Sequence, residues 1–447
     1  MDDEAQTEQR RGEGPGFAER GVALLLVIAC LAVLMPMTAS YSYTTRVDWQ
    51  AAINLRDEVA ARNLERGALR MSLLLFELQR QVFSQKQFRD YMGTMDITQV
   101  APYLMGVFGS DTATEELEGL AALAGLDNIN ADAFKDLALT TGTFQVNLEA
   151  ESGKVNVNCL ADTTEKNKGD TPQARVVEVL DAMLLPTLYD PLFQEEREDG
   201  QRYSRIDVVQ AIADYIDDDD KRFDMISLSA SSRPESYGYT QLFDPYEQRN
   251  ARLDSVEELA LVKGVNDDVM MILAPDVTVY GGCKVNLNFA SAEQIALVIR
   301  HAVSAADKWK TEGDKFLLMT LPLARYVVEI RTFSLFKDLE AFKEFVRKPD
   351  QFINPLALGA TDAGERDPNL PKIPEGIDVR VEPSKPDSKD VWGGLSEIAT
   401  VAPERVYRIE VIVEVGSVKK RVTAVYDMQF QRSQSTGKGA WLYFRED

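Results

Sequence analysis

No charged residue interrupts the chain from Gly21 to Thr45, and the segment from Val22 to Met35 is almost wholly apolar. An α-helix rises about 1.5 Å per residue and needs roughly 20 residues to cross the hydrocarbon core, so this stretch is long enough to span a membrane. Beyond it the pattern turns periodic. Trp49, Ile53, Ala60, Leu64, Ala68, Met71, Leu75, Leu78 and Val82 recur at steps compatible with one helix face. The pattern predicts one helix over 22–90, with its membrane span at about 22–42 and an amphipathic continuation in solvent. A cleaved secretory signal is the alternative, because the apolar run is compact and Thr38-Ala39-Ser40 could serve as a small-residue cleavage site. The mixed charge of residues 1–21 and the periodicity continuing past Ser40 favour the uncleaved span.

The remaining pattern divides coarsely. Helical and turn signals fill roughly 85–140, with a helix entry at Asp111–Glu115 and a stop at Gly125. Thr143–Glu149 alternates apolar and polar residues, and a Ser152-Gly153 turn into Lys154–Asn158 reads as a hairpin, so 91–160 holds helices and the first strands. Over 161–348 helical signals dominate: Ala174–Leu185, Ser204–Ile216, Ser255–Val262, Asp267–Leu273, Ser291–Val303 and 316–346. Residues 349–403 shift to Pro, Gly, Asp and Lys with little periodicity and read as an irregular, partly mobile connection. At 404–447 strands return: Tyr407–Val415, a Gly416-Ser417 turn, Lys419–Tyr426, and a closing strand at Trp441–Phe444. This order predicts an α+β fold, a long N-terminal helix packed on an antiparallel sheet that a large all-helical insertion interrupts.

Composition narrows the partners. The 447 residues leave room for two or three domains, and the formal charge is −23. Residues 1–21 carry six acids and three bases, so a chain without them stands at −20. Such a surface disfavours nucleic acid and anionic lipid, and suits divalent cations or basic partners. Of three cysteines, Cys30 lies in the apolar helix, and Cys159 and Cys283 could form one disulfide. They flank near-repeats, Gly153-Lys-Val-Asn-Val-Asn-Cys159 and Cys283-Lys-Val-Asn-Leu-Asn-Phe289. Antiparallel pairing of the two would bring the sulfurs together, whereas parallel pairing would hold them roughly 15 Å apart and leave two free thiols.

Chemistry concentrates in one acidic run. Asp214, Asp217, Asp219 and Asp220, with Glu235 downstream, offer hard oxygen ligands of the kind calcium takes in sets of six to eight, and without a cation they would repel one another. The spacing is not that of an EF-hand, and a solvated acidic loop at a helix end is the ordinary alternative. Leu259–Val265 has the helix-hairpin-helix pattern, whose glycine turn can present backbone N–H groups to a phosphate. Here Asp267 and Asp268 open the next helix and would repel one. There is one histidine, His301, so a histidine-rich metal site is ruled out and no motif supports an enzyme mechanism.

A hydrophilic leader ending in Gly21, an apolar helix starting at Val22 and its amphipathic continuation resemble the class III leader of type IV pilins and type II secretion pseudopilins. The resemblance implies cleavage after Gly21 by a prepilin peptidase and methylation of the new N-terminus at Val22. Most members carry glutamate at the fifth residue after the cut; this chain has Leu26. That departure is similar to the K-type minor pseudopilins, which sit at the filament tip, where no subunit ahead needs its amine neutralised. Phe144–Asn158, Ala213-Asp-Tyr-Ile-Asp-Asp-Asp-Asp220, Leu253–Val265 and Lys284–Asn288 also resemble that family's motifs, in order. The resemblance implies a pilin-like sheet with a SAM-like, helix-hairpin-helix-like helical insert that binds calcium. Glu235 departs from it, since Arg233-Pro234 stands where the family places Gly-Ala. The implied place is the inner membrane, single-pass, with the C-terminal domain in the periplasm. The implied partners are the I- and J-type minor pseudopilins, the major pseudopilin and the inner-membrane secretion platform, and the implied role is to initiate or cap the pseudopilus for export across the outer membrane. A DNA receptor anchored in the membrane and a type IV pilus minor pilin are the alternatives.

Overall fold

The computed structural model describes residues 17–80, 95–108, 142–164, 171–197, 200–235, 239, 245–303, 313–332, 335–349, 379–382, 394–429 and 439–447. Helix α1 (Phe17–Leu78) is continuous through Pro36, and it is long and apolar enough to cross a membrane. From Gly21 to Ala52 it is exposed throughout, Trp49 included. From Ala61 onward the expected face turns inward, burying Leu64, Ala68, Met71 and Leu75. The signals expected at Asp111 and Gly125 lie outside the described residues.

What α1 packs against is a four-stranded antiparallel sheet in the order β1-β8-β9-β10, made of β1 (Thr143–Ala150), β8 (Val406–Val415), β9 (Val418–Asp427) and β10 (Ala440–Glu446). Alternation sets its buried face: Tyr407, Ile409, Val411 and Val413 point to α1, while Arg408, Glu410 and Glu414 point away. Burying each large apolar side chain contributes about 1.5–3 kcal/mol, which identifies this face as the main adhesive between helix and sheet. Phe76 stacks on Tyr407 at 4.9 Å and on Tyr426 at 5.4 Å. The Tyr407 hydroxyl then donates to buried Asp96 at 2.8 Å, just ahead of α2 (Ile97–Phe108). Gly416 turns the β8–β9 hairpin with φ +59, and a Cβ there would lie 2.2 Å from Asp57 Oδ2 on α1, so only glycine fits.

The hairpin expected between Thr143–Glu149 and Lys154–Asn158 does not form. β1 pairs with β8 along its whole length, Thr143 opposite Glu414 and Ala150 opposite Tyr407. A 3₁₀ turn at Glu151–Gly153 then directs the chain into the insert, which occupies residues 151–405 between two neighbouring strands of the sheet. Gly153 has no room for a side chain, since a Cβ would meet the Phe289 carbonyl oxygen at 2.5 Å.

The insert is dominated by helices: α3 (Pro172–Met183), α4 (Arg205–Ile216), α5 (Asp267–Leu273), α6 (Ala292–Ala302), α7 (Gly313–Arg331), α8 (Leu339–Arg347) and α9 (Leu395–Ile398). The helical signal at 316–346 resolves into α7 and α8, and Ser255–Val262 is a 3₁₀ turn over Val256–Leu261. Short strands complete the insert. β2 (Val155–Asn156) pairs in parallel with β5 (Val277–Thr278), β6 (Val285–Asn286) in parallel with β7 (Ala399–Thr400), and β3 (Lys221–Asp224) antiparallel with β4 (Ser229–Pro234). Not all of 349–403 is irregular, because Arg380 N–H bonds Ala302 O, Leu395 N–H bonds Arg380 O, and β7 completes a strand pair.

The two Lys-Val-Asn segments therefore pair with other strands and not with each other. They are instead equivalent parts of a repeated unit. In each, the first asparagine accepts the N–H of the second, Asn158 to Asn156 at 3.0 Å and Asn288 to Asn286 at 3.2 Å. The first also donates to the partner segment, Asn156 to Gly281 O and Asn286 to Ala402 O. The second asparagine grips a distant loop through both ends of its amide: Asn158 takes Leu253 N–H and donates to Leu253 O, and Asn288 takes Phe336 N–H and donates to Phe336 O. Cys159 and Cys283 are joined by a disulfide, with Cα atoms 5.7 Å apart, that links the end of the first Lys-Val-Asn segment to the start of the second.

Asn288→Ala strands a buried N–H and a buried carbonyl at Phe336, each costing about 1–3 kcal/mol when unpaired. Thermal unfolding of the full chain should shift down by several degrees for Asn288→Ala and for Asn158→Ala alike. A shift for only one of them contradicts the equivalence of the two units.

Candidate functional site

The acidic residues gather where α4 ends. Ser204 caps its N-terminus, accepting the Asp207 N–H at 3.2 Å while the Asp207 carboxylate takes the Ser204 N–H at 3.0 Å. Val208, Val209, Ile212 and Ile216 anchor the helix in the core of the insert. The helix stops at Ile216, Asp217 becomes extended, and the chain bends through Asp218–Asp220 into β3. Phe223, almost completely buried, fixes the β3–β4 hairpin, and β4 returns the chain so that Glu235 follows Pro234 directly beside the bend.

Asp217, Asp219 and Glu235 each bring one carboxylate oxygen within 4.8 Å of the others. Asp214 stands one helical turn back, and its Oδ1 accepts the Phe223 N–H at 2.6 Å. Asp220 flanks the group, its carbonyl taking the Glu235 N–H at 3.3 Å. Two further residues gave no local signal in the sequence. Gln173 at the start of α3 donates to Asp217 Oδ2 at 2.8 Å, and Asn250, in the left-handed region at φ 43, donates to the Asp219 carbonyl at 3.2 Å.

The electrostatics of this pocket are unbalanced. Asp217 is 2% exposed and Glu235 5%, yet Asp217 Oδ1 and both Glu235 carboxylate oxygens have no hydrogen-bond partner. Asn250 Oδ1 is also buried without one. Burial, reinforced by the neighbouring carboxylates, pushes Glu235 up to about 9 and Asp217 up to about 8. Burial likewise raises Asp214 to about 7, against the opposing pull of the Phe223 N–H. Buried unpartnered oxygens of one sign are costly unless a cation satisfies them. With neither histidine nor cysteine in the group, the donor set fits a hard divalent cation such as calcium and not zinc. Asp217, Asp219 and Glu235 would hold it, with Asp214 and Asp220 positioned at its flanks.

The helix-hairpin-helix turn is closed from within. Gly264 has φ +84 and lies under the Tyr203 ring, Lys263 N–H donates to the Tyr239 hydroxyl, and Val265 N–H bonds Val262 O. Those two amides are committed inside the protein, and Lys263 Nζ sits over the Tyr203 ring at 5.3 Å. His301, largely buried, has its Nδ1 3.4 Å from Glu178 on α3. Leu26 and Val22 are exposed on α1.

Residues 153–282 match the family model of the Type II secretion system (T2SS), protein K. The resemblance drawn from the ordered motifs is borne out over those residues, which run from the first Lys-Val-Asn segment to the residue before Cys283. Among solved structures the chain is similar to the GspK-GspI-GspJ complex from the enterotoxigenic Escherichia coli Type 2 Secretion System, at 14% identity and a TM-score of 0.39, covering 79% of this chain and 99% of that one. No curated protein matches it.

The raised carboxyl groups fix a pH dependence. A carboxyl whose folded value exceeds its unfolded value, near 4, adds stability that is fully present below the unfolded value and lost as pH rises through the folded one. With folded values of about 7, 8 and 9, chelator-treated protein should lose thermal stability steadily from about pH 5 to pH 9. Calcium should restore it, most strongly at the alkaline end, and Asp217→Asn with Glu235→Gln should flatten the profile and remove the calcium response. An unfolding midpoint indifferent to calcium across this range refutes the site.

Proposed function

We propose that the chain is a K-type minor pseudopilin that sits at the tip of a type II secretion pseudopilus and initiates or caps its assembly for protein export across the outer membrane. The observation that carries this reading is the protein K match over residues 153–282, set in an insertion between β1 and β8 and carried by a helix long enough to span a membrane. In this reading α1 is anchored in the inner membrane with the sheet and insert in the periplasm. Prepilin peptidase cuts between Gly21 and Val22, and Val22 becomes the methylated N-terminus.

Two features support the tip. Leu26 stands where the resembled pseudopilins carry glutamate, so the chain lacks the carboxylate that would meet the amine of a subunit ahead. The insert at 151–405 widens the molecule beside its sheet, and side-by-side packing along a filament shaft would accommodate such a bulk poorly. Below this cap the exposed apolar positions of α1, among them Trp49, Leu55 and Val59, offer a surface for neighbouring helices. The I- and J-type minor pseudopilins are its expected partners, with the major pseudopilin beneath and the secretion platform in the membrane. Calcium in the acidic site is assigned a structural role, tying the β3–β4 hairpin and Asn250 to the end of α4.

Co-expression with a prepilin peptidase should yield a chain whose N-terminal peptide begins at methylated Val22, measured by mass spectrometry. Co-expression with I- and J-type partners should yield a stable complex with one copy of each. A mature start after Ala39 or Ser40 would make the segment a cleaved secretory signal and overturn the reading.

A further inference from the structure

A groove of about 350 Å³ opens in the insert among α3, the 187–193 turn, α5, α6 and α7. Its lining is mostly apolar, including Leu188, Leu297, Leu318 and Leu321. Leu188 is 80% exposed and Leu318 71%, far more than packing within the insert requires. Apolar surface concentrated beside a concavity is how a binding site presents itself.

The polar groups of the groove set the character of its occupant. Thr187, Tyr189, Asp276 and Glu293 contribute to the lining, and among the described residues no lysine or arginine does. Glu293 lies in the first turn of α6, whose N-terminal dipole amounts to about half a positive charge, so two carboxylates exceed what the helix can offset. Burial pushes Asp276 up and the carboxylate of Glu293 adds to this, against the hydrogen bond from Ser291 and the pull of Lys154, so the net shift is still upward. A cationic group from outside would relieve both. Among the described residues the walls are helix faces and a 3₁₀ turn, with no strand edge to receive an extended peptide, so an occupant must satisfy its own backbone.

We propose that this groove binds an amphipathic helix of a partner protein, with leucine-like side chains between Leu188 and Leu318 and a lysine or arginine against Asp276 and Glu293. The inference rests on the groove alone and stands independently of the pseudopilin reading.

The test uses the full chain in nanodiscs of neutral lipid and a fluorescent helical peptide of leucine and lysine, with empty nanodiscs as the blank. Fluorescence anisotropy should show binding above the blank, weakened at least about tenfold by Leu188→Asp or Leu318→Asp. Both positions are solvent-exposed, and unchanged unfolding midpoints confirm that these variants fold. A leucine and glutamate peptide with the same apolar face should not bind, and Glu293→Gln should weaken the lysine peptide. Binding unaffected by either leucine variant would mean that the overall acidic surface attracts the peptide, and would overturn the proposal. No binding to the parent chain overturns it as well. So does self-association of the parent that Leu318→Asp abolishes, since the occupant would then be a second copy.

Discussion

The insert departs from the sheet at Glu151 and rejoins it at Glu404, and two buried carboxylates hold these ends in place. Glu151 is inaccessible to solvent; it pairs with Arg408 on β8 and accepts from the Thr278 hydroxyl on β5. Glu404 accepts the N–H groups of Arg405 and Val406 at 2.7 and 2.8 Å and the hydroxyl of Ser152. A buried carboxylate is tolerable only when its oxygens are satisfied, and these are satisfied by both structural units at once. Because β1 and β8 are neighbours, their ends lie side by side and the insertion leaves the sheet register intact. The α1–sheet core and the core of the insert can then fill independently, with Gln99 reaching from α2 to the Arg331 carbonyl at 2.7 Å as a second tie.

Local signals predicted what local physics decides. Uniform apolarity over Val22–Met35 and periodicity beyond it gave α1, and strict alternation about a glycine gave β8 and β9. Where partners were distant, the pattern was insufficient. Alternation at Thr143–Glu149 announced a strand without naming β8, more than 250 residues away in sequence, as its neighbour, and the adjacent Lys-Val-Asn segment was the wrong choice. At the acidic site the run Asp214–Asp220 was visible, and Glu235 stood out as a downstream carboxylate although the residues before it depart from the resembled family. Gln173 and Asn250 carry no pattern that links them to it, since only the packing of α3 and of the chain after 245 places them there.

The repeated Lys-Val-Asn sequence was legible as a repeat but not as a structural device. Its asparagines act as staples, each second amide closing a loop on itself through one donor and one acceptor, and each first amide fastening a short parallel strand. Two residues of strand supply little pairing of their own, so the asparagine bonds carry what the ladder cannot. The disulfide then fixes one unit to the next. A compact helical mass follows, linked firmly to the sheet, and the sheet in turn is fastened to a membrane-length helix.

The tip position is the central claim, and counting this chain on assembled pseudopili tests it most directly. Gold-labelled antibody fragments against the insert, viewed on isolated filaments by electron microscopy, should mark a single site at one end of each. Labels repeated along the shaft would contradict the account.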